Sequence, residues 1–166
     1  MLEAIVAVYA DWGIGQNGTQ PVVLRADRRR FRELTTGAAV LVGRRTLADF
    51  PGGRPLPGRV NLVLTHRHLL IEGAEVVHST EEALEAAARQ ERCFVIGGAS
   101  VYRALLPWVG RVYVTRLDAC PPSDAYFPRL DEDPAFICTD PGEEQEENGV
   151  RYRFQVWERR AVLREA

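Results

Sequence analysis

Apolar runs that stop on glycine constrain this chain more than any other feature. Leu2 to Ala10 is interrupted only by Glu3 and leads into a loop with Gly13, Gly15 and Gly18. Ala38 to Val42 stops at Gly43, and Cys93 to Ile96 runs into Gly97-Gly98. Runs this short, without polar alternation, suit strands buried on both faces, which occur where helices cover both sides of a parallel sheet. Glycine directly after such a strand lets the backbone turn sharply into a helix. The segments between the runs are helix-like. Ala26 to Thr35 places Phe31 and Leu34 on one stripe, with Arg28, Arg29, Arg30 and Arg32 expected on a solvated face. Ser79 and Glu82 form a capping pair ahead of the strong helix formers from Ala83 to Ala88. A helix after Ala99 is stopped by Pro107.

Further strands are expected at Val60 to Thr65, Glu75 to His78 and Arg111 to Leu117. Val150, Tyr152, Phe154 and Val156 give a period-2 face to a closing strand. Asp131 to Glu147, rich in acids and proline, reads as a surface excursion. The expectation is a single α/β domain over 1–160: a mostly parallel, doubly wound sheet with flanking helices, a C-terminal antiparallel hairpin, and a tail at 161–166.

The chain has 166 residues, of which 46% are hydrophobic, enough for one core. A formal net charge of -2 gives no field that would recruit nucleic acid or an anionic membrane. No apolar run is long enough for a spanning helix. MLEAIVAVYADWG is expected to be a first strand rather than a signal peptide. Cys93, Cys120 and Cys138 lack a C-x-x-C spacing, which argues against a disulfide framework or zinc site and fits a reduced, cytoplasmic setting. The expected partner is a small molecule, with neither nucleic acid nor membrane, and the expected state is a monomer.

The stretch from Trp12 to Phe31, WGIGQNGTQPVVLRADRRRF, carries the chemistry. Its glycines allow close approach to a ligand, and Asp27 sits at a helix start, where free N–H groups favour an acid. Were Asp27 to sit between apolar walls, desolvation would raise its pKa against that helix effect. Gly43-Arg44-Arg45-Thr46 and Gly97-Gly98-Ala99-Ser100 each lie at the carboxyl end of a strand where a helix begins, which suits a pyrophosphate. Neither is a G-x-G-x-x-G fingerprint. Arg44 and Arg45, with His66 and Arg67, would favour a cofactor bearing a further phosphate monoester.

In order and spacing, GIGQNGTQP, Asp27 with Phe31, VGRRT, GRPLPGR, VIGGASVY, VTRLDA and DAYFP resemble dihydrofolate reductase of the bacterial chromosomal type, from Ile5 to about Arg160. The resemblance implies an eight-stranded sheet with four helices and a cis Gly97–Gly98 bond. It implies reduction of 7,8-dihydrofolate by NADPH, with hydride transfer to C6 and water-relayed protonation of N5. Asp27 would be the catalytic group, binding the pterin 2-amino group and adjacent ring N–H, with Thr115 supporting it. Arg59 would pair with the α-carboxylate of the glutamate tail. Ile5, Ala7, Phe31, Leu56 and Ile96 would wall the pterin and aminobenzoyl groups. For the cofactor, Arg44, Arg45, Thr46 and His66 would hold the 2′-phosphate end. Gly97, Gly98, Ala99, Ser100, Val101 and Tyr102 would hold the pyrophosphate and approach the nicotinamide. Ala7, Ile14, Gly15, Gly18, Gly43, Leu64, Thr65 and Ile96 would complete the cofactor contacts, and the loop from Gly13 to Val23 would close over the nicotinamide.

Val22 stands where that family has tryptophan, Arg25 where it often has proline, and Arg28 where it has an apolar contact. Asp49 to Gly53 carries extra residues. Two other functions fit parts of the pattern: a pyrimidine-nucleotide reductase of the riboflavin pathway, against which Asp27 with GRPLPGR argues, and a weakly catalytic NADPH- or folate-binding protein, which Val22 would favour.

Overall fold

Side chains buried on both faces decide the middle of the sheet. In a computed structural model that describes residues 2–160, β1 (Leu2–Val8), β3 (Ala39–Gly43) and β6 (Cys93–Gly97) form its centre. All five residues of β3 are buried. Around them lie β4 (Val60–Leu64), β5 (Ala74–Val77), β7 (Val109–Leu117) and β11 (Val150–Arg159), giving the order β11-β7-β1-β6-β3-β4-β5. Neighbours from β7 to β5 are parallel; β11 returns antiparallel on β7. Four helices flank the sheet: α1 (Arg25–Thr35), α2 (Arg44–Ala48), α3 (Thr80–Ala88) and α4 (Ala99–Leu105).

Register assigns the faces. Ile5 pairs with Tyr113, Ala7 with Thr115, and Thr115 with Phe154, so these side chains share one face. The opposite face buries Ala4, Val6, Val8, Leu41 and Val95 against Ala83, Ala86 and Ala87 of α3 and Val101 and Leu105 of α4. Removing this apolar surface from water is the main stabilising contribution. The one acid of β1, Glu3, is buried but paired: Arg92 Nε donates to its Oε2 at 2.7 Å, and Tyr113 donates to Oε1 at 3.3 Å. Ser79 caps α3 as expected, accepting from the Glu82 N–H at 3.1 Å, but the Glu82 carboxylate reaches back to the His78 N–H instead of closing the box on Ser79.

The segment expected to be a surface excursion contains two strands. Here β9 (Phe136–Asp140) pairs with one end of β11 and β10 (Gln145–Glu147) with the other, making the main sheet nine-stranded, where eight were implied. Both are edge strands held by the β11 backbone, so they need no apolar alternation. A further pair, β2 (Gly13–Gly15) with β8 (Ala125–Tyr126), gives the glycine loop a sheet of its own. The expected tail at 161–166 lies outside the described residues.

Candidate active site

Trp12, at the root of the loop, is fully buried between Phe127 and Trp157, so the loop starts from a fixed point in the core. From the next residue, Gly13, the chain pairs with β8, and Asp124 accepts from the Asn17 N–H at 3.0 Å. Gln16 and Thr19 exchange backbone hydrogen bonds across Asn17-Gly18, both at positive φ, the geometry an Asn-Gly hairpin turn requires. Gln20 then donates to the Ala7 carbonyl at 3.2 Å, drawing the loop across the end of β1. Val22 N–H reaches the hydroxyl of buried Tyr9 at 3.4 Å. Ile14, Gly15 and Gly18 therefore lie in a segment tied down at several points.

Helix α1 follows, packed over the face that bears Ile5, Ala7 and Thr115. No side chain at its N-cap, Leu24, satisfies the first free N–H groups. Glu147 of β10 does so from outside: its carboxylate accepts from Arg25 N–H at 2.6 Å and Ala26 N–H at 3.0 Å. Next along the helix is Asp27. The Thr115 hydroxyl donates to its Oδ1 at 2.5 Å, which joins α1 to β7 and leaves Oδ2 for another donor. Burial raises the Asp27 pKa above the usual carboxyl range; the Thr115 hydrogen bond and the Arg30 and Arg28 charges pull it down, and Glu147 pushes it up. Desolvation prevails, as expected from the sequence. Thr115, an even-spaced member of a buried strand, has its polar atom explained by this contact.

The basic run on α1 departs from expectation at one position. Arg28, Arg29 and Arg32 are exposed, but Arg30 turns inward, its guanidinium carbon 4.4 Å from the Phe154 ring centroid. Its signal was its place one helical turn after Asp27, on the same side.

Beyond α1, Arg59 is oriented by two bonds, Nε to Thr35 Oγ1 at 3.1 Å and NH1 to the Pro57 carbonyl at 2.7 Å, with its guanidinium 5.8 Å from the Phe31 ring. Burial and the neighbouring Arg32 charge lower its pKa. A cation held this way, with another beside it, is suited to a carboxylate. Leu56 is fixed nearby through Asn61, which bonds both its N–H and its carbonyl.

The two expected phosphate turns meet. Gly43 and Gly98 are the N-caps of α2 and α4, and neither helix has a side-chain cap, so the first N–H groups stay free. A Cβ on Gly98 would stand 2.9 Å from Thr46 Oγ1, and one on Gly43 would stand 3.0 Å from Val101 Cγ2 and 3.8 Å from the Gly97 carbonyl. The two turns thus approach as closely as side-chain-free residues allow, with the uncapped first N–H groups of both helices next to them. The Gly97–Gly98 bond is cis. Ala99 and Ser100 open α4; Tyr102, buried, donates to the Ile5 carbonyl at 2.7 Å and so ties α4 to the strand that also carries Ala7. Ile96 lies beside this seam. Gly43 and Leu64 are register partners, so Arg44 and Thr65, then Arg45 and His66, leave the adjacent ends of β3 and β4 together. Among the described residues no cluster of His, Cys, Asp and Glu is arranged to hold a metal.

Residues 1–159 match the family model described as dihydrofolate reductase. The chain is 33% identical to the dihydrofolate reductase of Bacillus subtilis over 162 residues, covering 96% of this chain and 95% of that one. It is 41% identical to that of Mycobacterium tuberculosis over 155 residues, covering 88% and 90%. Among solved structures, the dihydrofolate reductase from Enterococcus faecalis complexed with NADP(H) and RAB-propyl superposes with a TM-score of 0.85 at 32% identity, over 96% of each chain.

Proposed function

The chain belongs to the dihydrofolate reductase family and reduces dihydrofolate with NADPH, and on that premise we propose that Asp27 anchors the pterin while hydride reaches C6 and a water-relayed proton reaches N5. The observation that carries this is the Thr115–Asp27 pair: one carboxylate oxygen is held from the sheet and the other is left for ring donors. The pterin 2-amino group and its neighbouring N–H present two donors in a row, and a carboxylate is the matching acceptor. With Asp27 committed to that edge, it does not reach N5, so the last proton travels through water.

Ile5, Ala7, Phe31, Leu56 and Ile96 wall the pterin and aminobenzoyl groups and exclude bulk water, which strengthens each polar contact. Arg59 takes the α-carboxylate of the glutamate tail. NADPH, when bound, supplies the hydride. The free N–H groups of α2 and α4 receive its pyrophosphate along Gly43, Gly97, Gly98, Ala99 and Ser100, and Val101 and Tyr102 lie toward the nicotinamide. Arg44, Arg45, Thr46 and His66 take the 2′-phosphate end, with Leu64 and Thr65 beside the adenosine. Ile14, Gly15 and Gly18 cover the nicotinamide from the loop, gating access. The protein then acts as a monomer in the cytoplasm, without nucleic acid or membrane; three unpaired cysteines and a formal net charge of -2 support this setting.

The test is Asp27→Asn, followed by NADPH oxidation with dihydrofolate present and by NADPH binding alone. Reduction at neutral pH should fall by about 100-fold or more, with NADPH affinity within about twofold of the parent. Loss of both in equal measure would place Asp27 in the wrong site, and full activity would remove it from the reaction.

A further inference from the structure

Arg30 is the inward member of an otherwise solvated basic run, and its surroundings are unusual for a cation. The guanidinium carbon lies 4.4 Å from the Phe154 ring centroid and 5.6 Å from that of Tyr113. Its NH1 is buried with no hydrogen-bond partner. Arginine does not shed its proton to escape such a position, so the charge stays and its burial is costly unless something repays it. The two rings repay part, through cation–π contact. The rest of the arrangement points to one carboxylate. Phe154 is the register partner of Thr115, and Tyr113 lies two residues before it on the same face. Thr115 holds Asp27, and Arg30 follows Asp27 by three residues on α1, so the guanidinium lies over the rings that flank Thr115, one helical turn from the carboxylate and outside direct ion-pair contact with it.

We propose that Arg30 is a positioning residue for the reduction, an interior counter-cation that keeps the Asp27 carboxyl charged from behind while its outer edge stays free for the pterin. The inference rests on the reading of Asp27 as the pterin anchor. An acid enclosed by apolar walls tends to hold its proton, and a protonated carboxyl would present a donor to ring N–H groups that need an acceptor. A cation without its own hydrogen-bonding acceptor opposes that by field alone, and does not compete with the pterin for the carboxylate oxygens.

The charges facing this pair come from every side. On α1, Arg28 acts with Arg30 in favour of the carboxylate; Glu147 from β10 acts against it. Around Arg30 itself, burial works against the cation and lowers its pKa, opposed by Asp27, by Tyr113 of β7 and by Asp140 of β9. From α4, the Tyr102 phenol lies in the field of Asp27. Arg30 is half-buried where Arg28 is exposed, and so is the less screened of the two cations.

Removing the charge should therefore move the Asp27 titration. The experiment follows the carbon-13 resonance of the Asp27 carboxyl against pH, with the dihydrofolate KM over the same range, in the parent, Arg30→Met, Arg30→Gln and Arg30→Lys. In Arg30→Met the titration should rise by about one pH unit. The KM should then increase by up to about tenfold on the acid side and converge on the parent value at high pH. Arg30→Lys, which keeps the charge, should stay near the parent, and all variants should bind NADPH within about twofold. Arg30→Gln repeats the neutralisation in a polar side chain should the apolar variant fold poorly. An Asp27 titration unmoved in both neutral variants, or moved equally in Arg30→Lys, overturns the proposal and leaves the reductase reading intact. Failure of that reading shows separately, as an Asp27→Asn variant that reduces dihydrofolate at the parent rate.

Discussion

Glu147→Ala tests whether the acid-rich C-terminal region holds the active-site helix in place. In the parent, the Glu147 carboxylate accepts from Arg25 N–H at 2.6 Å and Ala26 N–H at 3.0 Å, and no side chain at the N-cap can substitute. A helix cap contributes about 1 kcal/mol. Two bonds are lost here, but the Arg25 N–H is exposed and water replaces much of its bond, whereas the Ala26 N–H is partly buried and keeps most of its penalty. Loss of a negative charge at a helix N-terminus adds roughly 0.5 kcal/mol. The total is about 2 kcal/mol, which for a domain of this size lowers Tm by about 4–8 °C. Glu147→Gln, with one acceptor and no charge, should lose about half as much. Removing Glu147 also removes a charge that opposes Asp27 ionisation, so the Asp27 carboxyl should titrate lower than in the parent. Thermal unfolding followed by circular dichroism measures the first effect, with Glu146→Ala, an exposed neighbour, as control. A Glu147→Ala Tm within about 1 °C of the parent, or an equal fall in the control, would refute the reasoning.

Thr115→Val removes the donor to Asp27 Oδ1 and should raise both the Asp27 titration and the dihydrofolate KM, with NADPH affinity unchanged; a KM equal to the parent's would show that the hydroxyl is dispensable. Gly98→Ala places a Cβ 2.9 Å from Thr46 Oγ1 and should weaken NADPH binding at least about tenfold, read by fluorescence titration; parent-like affinity would mean the seam is not the pyrophosphate site. Because the Asp27 pKa is raised on folding, its ionisation destabilises the fold: stability falls as pH climbs from the unfolded to the folded pKa, and the loss stays in place above it. Asp27→Asn should therefore increase Tm at neutral pH and lose that advantage in acid; a lower Tm at neutral pH would contradict the burial cost. Arg44→Ala should erode the preference for NADPH over NADH in steady-state kinetics, and an undiminished preference would move the 2′-phosphate elsewhere.

What the sequence determined by itself is local. Buried strands ending at Gly43 and at Gly97-Gly98 announce sharp strand-to-helix turns, because only backbone geometry is involved. Asp27 stands out as an acid at a helix start, and the residues of the phosphate turns are contiguous. The tertiary structure decided everything that depends on segments far apart in the chain. Edge strands β9 and β10 showed no long apolar period, because the β11 backbone holds them; β9 turns only Phe136 and Cys138 to the core, and β10 is largely exposed. Arg30 was one arginine among several until packing put Phe154 and Tyr113 beneath it. Thr115 and Glu147 reach α1 across separations of 88 and 121 residues, and no spacing rule covers such distances. The acid and the direction of its pKa shift are legible in the sequence, then, but the pull of Arg30 and the push of Glu147 on it are not, because those groups come near it only when the sheet closes.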